Sequence, residues 1–378
     1  MNAALLAAPL FDRDTWASVP FHFWTGVFGV FGLIVGSFLN VCIHRMPRGE
    51  SLVHPPSRCP QCESRIPWRY NLPILGWLLL GGKCAHCAHP ISSRYVWVEG
   101  LTGALFAGVW VGHGHAGPLV AVALCLFAAS LVVATFIDIE HLIIPDEITI
   151  GGAVVGVVLS VLLPGIHGET FSWPSLKASV IGAVIGSGVV LGVLEFGKLL
   201  FGRQRFQLPP EGRIVFTESE VCLPDRSIPY EDVFYRNSDT LVFHARHLEL
   251  VDRCYRDVTV RLRLRAGSLT IGDEELDPAT VVWMAAHTDE VTVPREAMGF
   301  GDVKFMAAIG AFTGWQGVIF ALLGSSVAAL AASALLTVLG RREWTARIPY
   351  GPYLAAAALA WILGAREWFV AWMMPPGL

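Results

Sequence analysis

The chain has 378 residues, of which 54% are hydrophobic and 15% charged, with a formal net charge of −4. Its mean hydropathy is +0.54. A soluble globular chain carries about 25% charged residues, so an ordinary soluble fold is excluded, and the basic residues form no stripe of the kind that grips nucleic acid. The apolar residues gather into runs close to the ~20 residues that cross a bilayer, and the sequence predicts a multi-pass membrane protein.

Residues 1–18 place Arg13 between Asp12 and Asp14. They lack the basic segment and short apolar core of a cleaved signal, so the first long apolar run is expected to be a retained helix. Membrane helices are predicted near 19–43, 96–113, 118–138, 148–165, 177–200, 302–315, 316–339 and 351–373. Two polar segments, 44–95 and 201–298, interrupt them. The expected fold class is an all-α polytopic membrane protein with about eight transmembrane helices, a zinc-bound cytoplasmic loop domain and an inserted small β-rich cytoplasmic domain. The expected divisions are 1–43 (first helix), 44–95 (four-cysteine segment), 96–200 (helices two to five), 201–298 (insertion) and 299–378 (helices six to eight).

Segment 44–95 holds seven basic residues: Arg45, Arg48, Arg58, Arg65, Arg69, Lys83 and Arg94. The 340–350 loop adds Arg341, Arg342 and Arg347, whereas loops 114–117 and 166–176 have no Lys or Arg. By the excess of Lys and Arg in cytoplasmic loops, segments 44–95 and 201–298 are predicted to be cytoplasmic and both termini outside. The first of these segments also carries Cys59, Cys62, Cys84 and Cys87, two C-x-x-C pairs separated by 21 residues. That spacing predicts a structural zinc site. Four thiolates leave no open coordination position, so the metal is not expected to be catalytic. His86 and His89 are spare donors, expected on the surface, and the scattered Cys42, Cys125, Cys222 and Cys254 suggest no disulfide framework.

The third span ends at Phe136-Ile137-Asp138, and the sixth starts at Asp302 in Gly299-Phe300-Gly301-Asp302. An intramembrane acid is costly and functional by default. The predicted orientation brings Asp138 and Asp302 to the same depth at the cytoplasmic face. Two carboxylates close together in low dielectric share a proton, so one can activate water while the other donates to a peptide carbonyl. The alternative is a pair of unrelated membrane-edge aspartates, one capping a helix and one ion-paired. Asp146, after Pro145, reads as an N-cap. Lys304 reads either as a snorkelling residue or as a charge biasing the pair, and Glu99 either as a functional acid or as a partner for Arg94 or a helix N-terminus. Glu195 and Lys198, three apart, are expected to pair. Gly182 and Gly186 have the spacing of helix packing. In the insertion, Val258, Val260, Leu262 and Leu264 alternate with Thr259, Arg261, Arg263 and Arg265, which predicts a half-exposed strand. Further strands are expected at 214–216 and 241–243, with a hairpin edge at 268–273. No nucleophile elbow, HExxH, P-loop or dinucleotide fingerprint is present in a credible context.

Several ordered motifs resemble those of the type IV prepilin leader peptidases, the bifunctional leader peptidase/N-methyltransferases of bacterial pilus and type II secretion systems. They are Gly36-Ser37-Phe38-Leu39-Asn40-Val41 with Arg45-Met46-Pro47, the segment from Pro55 through the four cysteines to Arg94-Tyr95, Ile137-Asp138-Ile139-Glu140, the Gly-x-Gly-Asp motif, and Ile348-Pro349-Tyr350-Gly351-Pro352-Tyr353. The resemblance implies an intramembrane aspartic protease with Asp138 and Asp302 catalytic. It implies prepilin and pseudopilin precursors as substrates, cut at the cytoplasmic face of the inner membrane, and N-methylation from S-adenosylmethionine supported by the cysteine segment. Glu140 departs from a frequent Asp of the family, and the 201–298 insertion departs from its usual length. The insertion is expected either to be inert or to gate access or recruit pilus or secretion assembly proteins. From the residues alone, a zinc-knuckled scaffold, an ion transporter using Asp138, Glu99 and Asp302, and a peptidase without methylation stay open.

Overall fold

The computed structural model describes residues 20–201, 203–209, 212–224, 227–230, 233–234, 239–294, 299–340 and 349–373. Contacts divide the chain into one unit made of residues up to Leu191 together with those from Phe300 onward, and a second unit, Gly192–Gly299.

The first unit is helical. Its elements are α1 (Phe21–Arg45), a short α2 (Leu75–Leu79), α3 (Arg94–His113), α4 (Pro118–His141), α5 (Asp146–Leu162), α6 (Ser172–Phe201, which runs on into the second unit), α7 (Phe300–Val338), α8 (Gly351–Ala360) and α9 (Arg366–Met373). Among the described residues, six helical segments are long and apolar enough to cross a membrane: Phe21–Arg48, Arg94–Ala116, Pro118–His141, Ser172–Leu199, Phe300–Val338 and Gly351–Met373. The count differs from the eight runs in the sequence for two reasons. Helix α5 has only 17 residues, and the sixth and seventh runs form one element, interrupted at Gly314 with φ 69° and ψ 179°. That backbone region is essentially reserved for glycine.

Small residues let these helices approach closely. A Cβ on Gly32 would stand 2.7 Å from Thr102 O, and one on Gly36 2.7 Å from Glu99 Cα, so α1 lies directly on α3. A Cβ on Gly182 would meet Gly310 O at 2.2 Å, and one on Gly186 would meet Met306 O at 2.6 Å. The Gly182/Gly186 spacing is therefore a packing face for α6 on α7. Gly156 of α5 lies against Ala311 and Phe312, and Phe127 of α4 stacks on Phe312 with ring centroids 4.2 Å apart. Helix α7 is the axis on which α4, α5 and α6 converge.

The second unit is an antiparallel sheet of ten strands, β1 (Arg203–Gln207), β2 (Arg213–Phe216), β3 (Glu220–Cys222), β4 (Ser227–Pro229), β5 (Leu241–Leu250), β6 (Cys254–Arg263), β7 (Ser268–Ile271), β8 (Glu274–Leu276), β9 (Met284–His287) and β10 (Glu290–Pro294). The order is β4-β3-β2-β9-β5-β6-β7-β8, with β10 pairing β5 and β1. Val260 and Leu262 are buried while Thr259, Arg261 and Arg263 are exposed, so the period of two in β6 marks a one-sided strand. The alternation stops at Leu264, which begins a 3-10 turn. Lys198 donates to Asp239 Oδ1 at 3.0 Å, an ion partner 41 residues away that the local spacing of Lys198 and Glu195 does not display.

The α6–α7 contact is testable. Gly182→Leu forces a side chain onto a backbone carbonyl and is expected to cost about 1–3 kcal/mol of stability. Gly188→Leu, at an exposed position with nothing within 4 Å, is expected to leave the thermal midpoint in detergent unchanged.

Candidate active site and metal centre

Asp138 lies in the last turn of α4 and is 6% exposed; Asp302 lies in the first turn of α7 and is 7% exposed. Their settings differ electrostatically. A helix N-terminus welcomes an anion through its free N–H groups and dipole, whereas a helix C-terminus repels one. Asp302 therefore has a favourable position and Asp138 an unfavourable one. A second helix compensates Asp138: the backbone N–H of Gly351, first residue of α8, donates to Asp138 Oδ2 at 2.9 Å. A side chain at 351 would displace the carboxylate, because its Cβ would stand 2.7 Å from that oxygen and 3.1 Å from Ile144 Cδ1.

Ile144 lies close to Gly351 and to Gly301, each next to one part of the aspartate setting. It is 9% exposed and follows Leu142, which ends α4 in a left-handed conformation with its N–H on Asp138 O at 3.0 Å. A Cβ on Gly301, beside Asp302, would lie 3.7 Å from Ile144 Cβ. The same side chain thus occupies the space next to Gly351 and next to Gly301. Tyr350 fixes the start of α8, its hydroxyl lying 2.7 Å from Ser325 Oγ and 3.1 Å from Ser326 Oγ of α7. Of the sequence-cited residues nearby, Arg341, Arg342, Arg347 and Ile348 fall outside the described residues.

The structure reassigns several polar neighbours. Asp146 is not an N-cap: Pro145 occupies that position, Asp146 is the first residue of α5, and its side chain makes no capping bond. It accepts from Lys304 Nζ at 2.5 Å, which answers for Lys304 without a direct role toward Asp302. Arg94 pairs with Glu140 rather than Glu99. Glu99, 6% exposed, accepts the Ile74 N–H through Oε2 at 2.7 Å. It therefore belongs to the four-cysteine segment and not to the aspartate site.

In that segment the sulfurs of Cys59, Cys62, Cys84 and Cys87 all lie within 4.8 Å of one another. Two separations are 3.8 Å (Cys59–Cys87) and 3.9 Å (Cys62–Cys84). A tetrahedron with Zn–S bonds of about 2.3 Å has sulfur–sulfur edges of about 3.8 Å, so the donor set fits zinc in kind and spacing. The two knuckles repeat one backbone design. Cys59 N–H donates to Ser64 O and Glu63 N–H to Cys59 O; Cys84 N–H donates to His89 O and Ala88 N–H to Cys84 O. Glu63 and Ala88 both take φ +54°. The repeat lies in the turns, not in the residue types, which is why the sequence does not display it. His86 and His89 are exposed and outside the cluster. The Ser64 hydroxyl and backbone, hydrogen-bonded to Cys62, lower that thiol to about 6. Cys87 rises to about 12 because desolvation and the neighbouring sulfurs outweigh a backbone hydrogen bond from His89. A bound dication favours the thiolate at every position, so the lowered direction is the one relevant to a loaded site.

Between residues 51 and 93 only Cys59, Gly76 and Gly82 are buried. The segment has no apolar core, and its anchors are polar: Arg45 donates to Ser51 O (2.8 Å) and Pro55 O (2.7 Å), and Trp77 Nε1 to Ile91 O (3.1 Å). Beneath it lies a cavity of about 590 Å³, walled by α1, α3 and the segment itself and lined by Asn40, Arg45, Tyr95 and Glu99 among others.

Comparison with known proteins follows this geometry. Residues 30–113 match the bacterial peptidase A24 N-terminal domain, and residues 125–205 and 278–334 match the type IV leader peptidase family. A prepilin leader peptidase/N-methyltransferase of Dichelobacter nodosus is 37% identical over 209 residues, covering 47% of this chain and 69% of the relative. The protein of the same description from Myxococcus xanthus is 40% identical over 176 residues, covering 46% of this chain and 49% of the relative. That from Aeromonas hydrophila is 27% identical over 360 residues, covering 89% of each. No solved structure matches. The chain belongs to the type IV leader peptidase family, and by that membership it is a peptidase rather than a scaffold or transporter.

Because the 51–93 segment has no core of its own, a metal held by the four thiolates would couple binding to folding there. Cys84→Ser is expected to abolish stoichiometric zinc, measured by elemental mass spectrometry, and to expose the segment to limited proteolysis while the helices stay protected.

Proposed function

We propose that this chain is an aspartic endopeptidase of the bacterial inner membrane that removes the short basic leader from prepilins and pseudopilins and then methylates the new N-terminus. The observation that carries the reading is the setting of Asp138: a buried carboxylate at the end of α4, compensated by the N–H of Gly351, with Ile144 next to both Gly351 and Gly301. Family membership supports the reaction class.

In the proposed reaction one aspartate is ionised and the other protonated. The ionised carboxylate takes a proton from water as the water oxygen adds to the scissile carbonyl. The protonated carboxyl gives its proton to the carbonyl oxygen. Collapse breaks the C–N bond: the amine nitrogen leaves with the proton taken from water, and one hydroxyl of the tetrahedral carbon returns its proton to the carboxylate that had donated, which restores the pair. Gly351 holds Asp138 in place through one oxygen and leaves the other for water. The pair titrates as a unit, so neither member is assigned the proton.

The proposal includes eight crossings, with the Gly314 break dividing α7 into two spans and α5 serving as a short one. The four-cysteine segment and residues 201–298 then face the cytoplasm and the termini lie outside. Zinc held by Cys59, Cys62, Cys84 and Cys87 is structural. S-adenosylmethionine, when bound, supplies an electrophilic methyl group to the new amine. The inserted sheet is proposed to dock pilus or secretion assembly proteins; deleting it and finding cleavage and partner binding unchanged would reject that role.

Co-expression of a prepilin with Asp138→Asn or Asp302→Asn is expected to lower leader removal by about 10²–10⁴-fold, the usual worth of a general acid or base. Normal processing by either variant removes the dyad. Gly351→Ala, which displaces Asp138 without touching its chemistry, is expected to slow cleavage by about tenfold or more, since a hydrogen bond to a charged group is worth about 1.5–3 kcal/mol. Substrate is then titrated to check that the loss appears in kcat rather than KM.

A further inference from the structure

We infer that the apolar stretch around α2 is a membrane anchor: Trp68, Leu75, Leu78 and Leu79 sit in the lipid bilayer beside α3, at the boundary between headgroups and acyl chains. The inference needs only that α3 crosses the membrane, and it stands apart from the proposed reaction.

Thirteen residues separate Arg69 from Lys83, and none of them is charged. A run of that kind in a soluble loop folds inward, but the 51–93 segment has no apolar interior to receive it. Trp68 is 80% exposed, Leu79 72%, Leu78 58% and Leu75 57%. Helix α2 puts Leu75, Leu78 and Leu79 on one side at i, i+3 and i+4, while Gly76 is pressed against the Tyr70 carbonyl. A patch of clustered exposed apolar side chains marks a contact surface.

Depth and continuity identify lipid as its occupant. A Cβ on Gly100 of α3 would lie 3.9 Å from Ile74 Cδ1, so the turn leading into α2 reaches the level of Gly100. That level is six residues beyond the helix start at Arg94, or about 9 Å along the axis at about 1.5 Å per residue. Interfacial helices sink their apolar faces about 5–10 Å into the same boundary. On α3 itself Trp97 and Leu101, which flank Gly100, are 72% and 42% exposed, so the patch adjoins the lipid-facing side of a span. Trp68 and Trp97 are of the residue type enriched at membrane–water interfaces. Arg69 and Lys83 bracket the apolar run, with stems long enough to return their charges to the headgroups.

The backbone suits that location. Irregular chain is tolerated in hydrocarbon only where its polar groups are satisfied within the protein. The N–H groups of Gly76, Leu78, Leu80 and Gly82 donate to Leu72 O, Ile74 O, Gly76 O and Trp77 O at 2.8–3.2 Å. Trp77 Nε1 donates to Ile91 O at 3.1 Å. The Ile74 N–H goes to Glu99 Oε2 at 2.7 Å, which gives an acid inside a span a purpose: it takes a loop donor that would otherwise face the apolar phase. The segment thus buries in lipid the side chains that it has no core to hold, and the cysteine cluster stands on a platform fixed to α3.

The test introduces the photoreactive amino acid benzoylphenylalanine, singly, in place of Leu79, Leu75, Val184 or Gln61 in the full-length protein, reconstituted in phosphatidylcholine vesicles. Val184, 63% exposed on α6, is the lipid reference. Gln61, exposed between Cys59 and Cys62, is the water reference. After irradiation, intact mass reports phospholipid adducts, gel mobility reports chain-to-chain products, and the thermal midpoint reports folding. Labels at Leu79 and Leu75 are expected to give phospholipid adducts about tenfold or more above Gln61, in the range of Val184. A folded variant labelled at either leucine that yields no more lipid adduct than Gln61, or that joins a second copy of the chain in place of lipid, would overturn the anchor.

Discussion

The arrangement depends on keeping one carboxylate, Asp138, inside an apolar bundle at the wrong end of a helix. The negative end of α4 and the surrounding side chains both oppose it, and a hydrogen bond from the first residue of α8 offsets them. That bond constrains what is around it. Glycine at position 351 lets the carboxylate sit on the N–H, since a Cβ would stand 2.7 Å from Asp138 Oδ2 and displace it. The start of α8 must be fixed, which the Tyr350 hydroxyl does against Ser325 and Ser326. The chain after α4 must fold back so that Ile144 seals the site, and the left-handed Leu142 provides that reversal.

The helical unit places its buried aspartates and its four-cysteine cluster on different elements. The aspartate site is built from the ends of α4, α7 and α8. The metal centre and the cavity below it are built from α1, α3 and the segment between them. Glu99 decides the separation: in the sequence it reads as a third intramembrane acid that a transport path would use, but its hydrogen bond to Ile74 commits it to the second site.

What the sequence reveals follows from the range of the physics. The apolar runs, the thiolate spacing and the alternation in β6 are local patterns, and each predicts its element. The expected shared depth of Asp138 and Asp302 rests on span parity and loop charge and belongs to the proposal. Asp146 was misread as a cap because a proline–acid pair before an apolar run looks the same whether the acid stands at the cap or one residue inside. The donor to Asp138 lies 213 residues away, and nothing near Gly351 names its acceptor. The Gly314 break looks like any glycine in an apolar run, so two predicted helices became one interrupted helix.

The central claim, that Asp138 and Asp302 act on one water, is tested most directly by cysteine cross-linking in membranes. With native cysteines outside the zinc quartet replaced, Asp138→Cys combined with Asp302→Cys is treated with dibromobimane, and linked peptides are quantified by mass spectrometry. The account predicts efficient linkage of the pair, with each single variant reacting with a permeant maleimide. Two reactive cysteines that never link would contradict it.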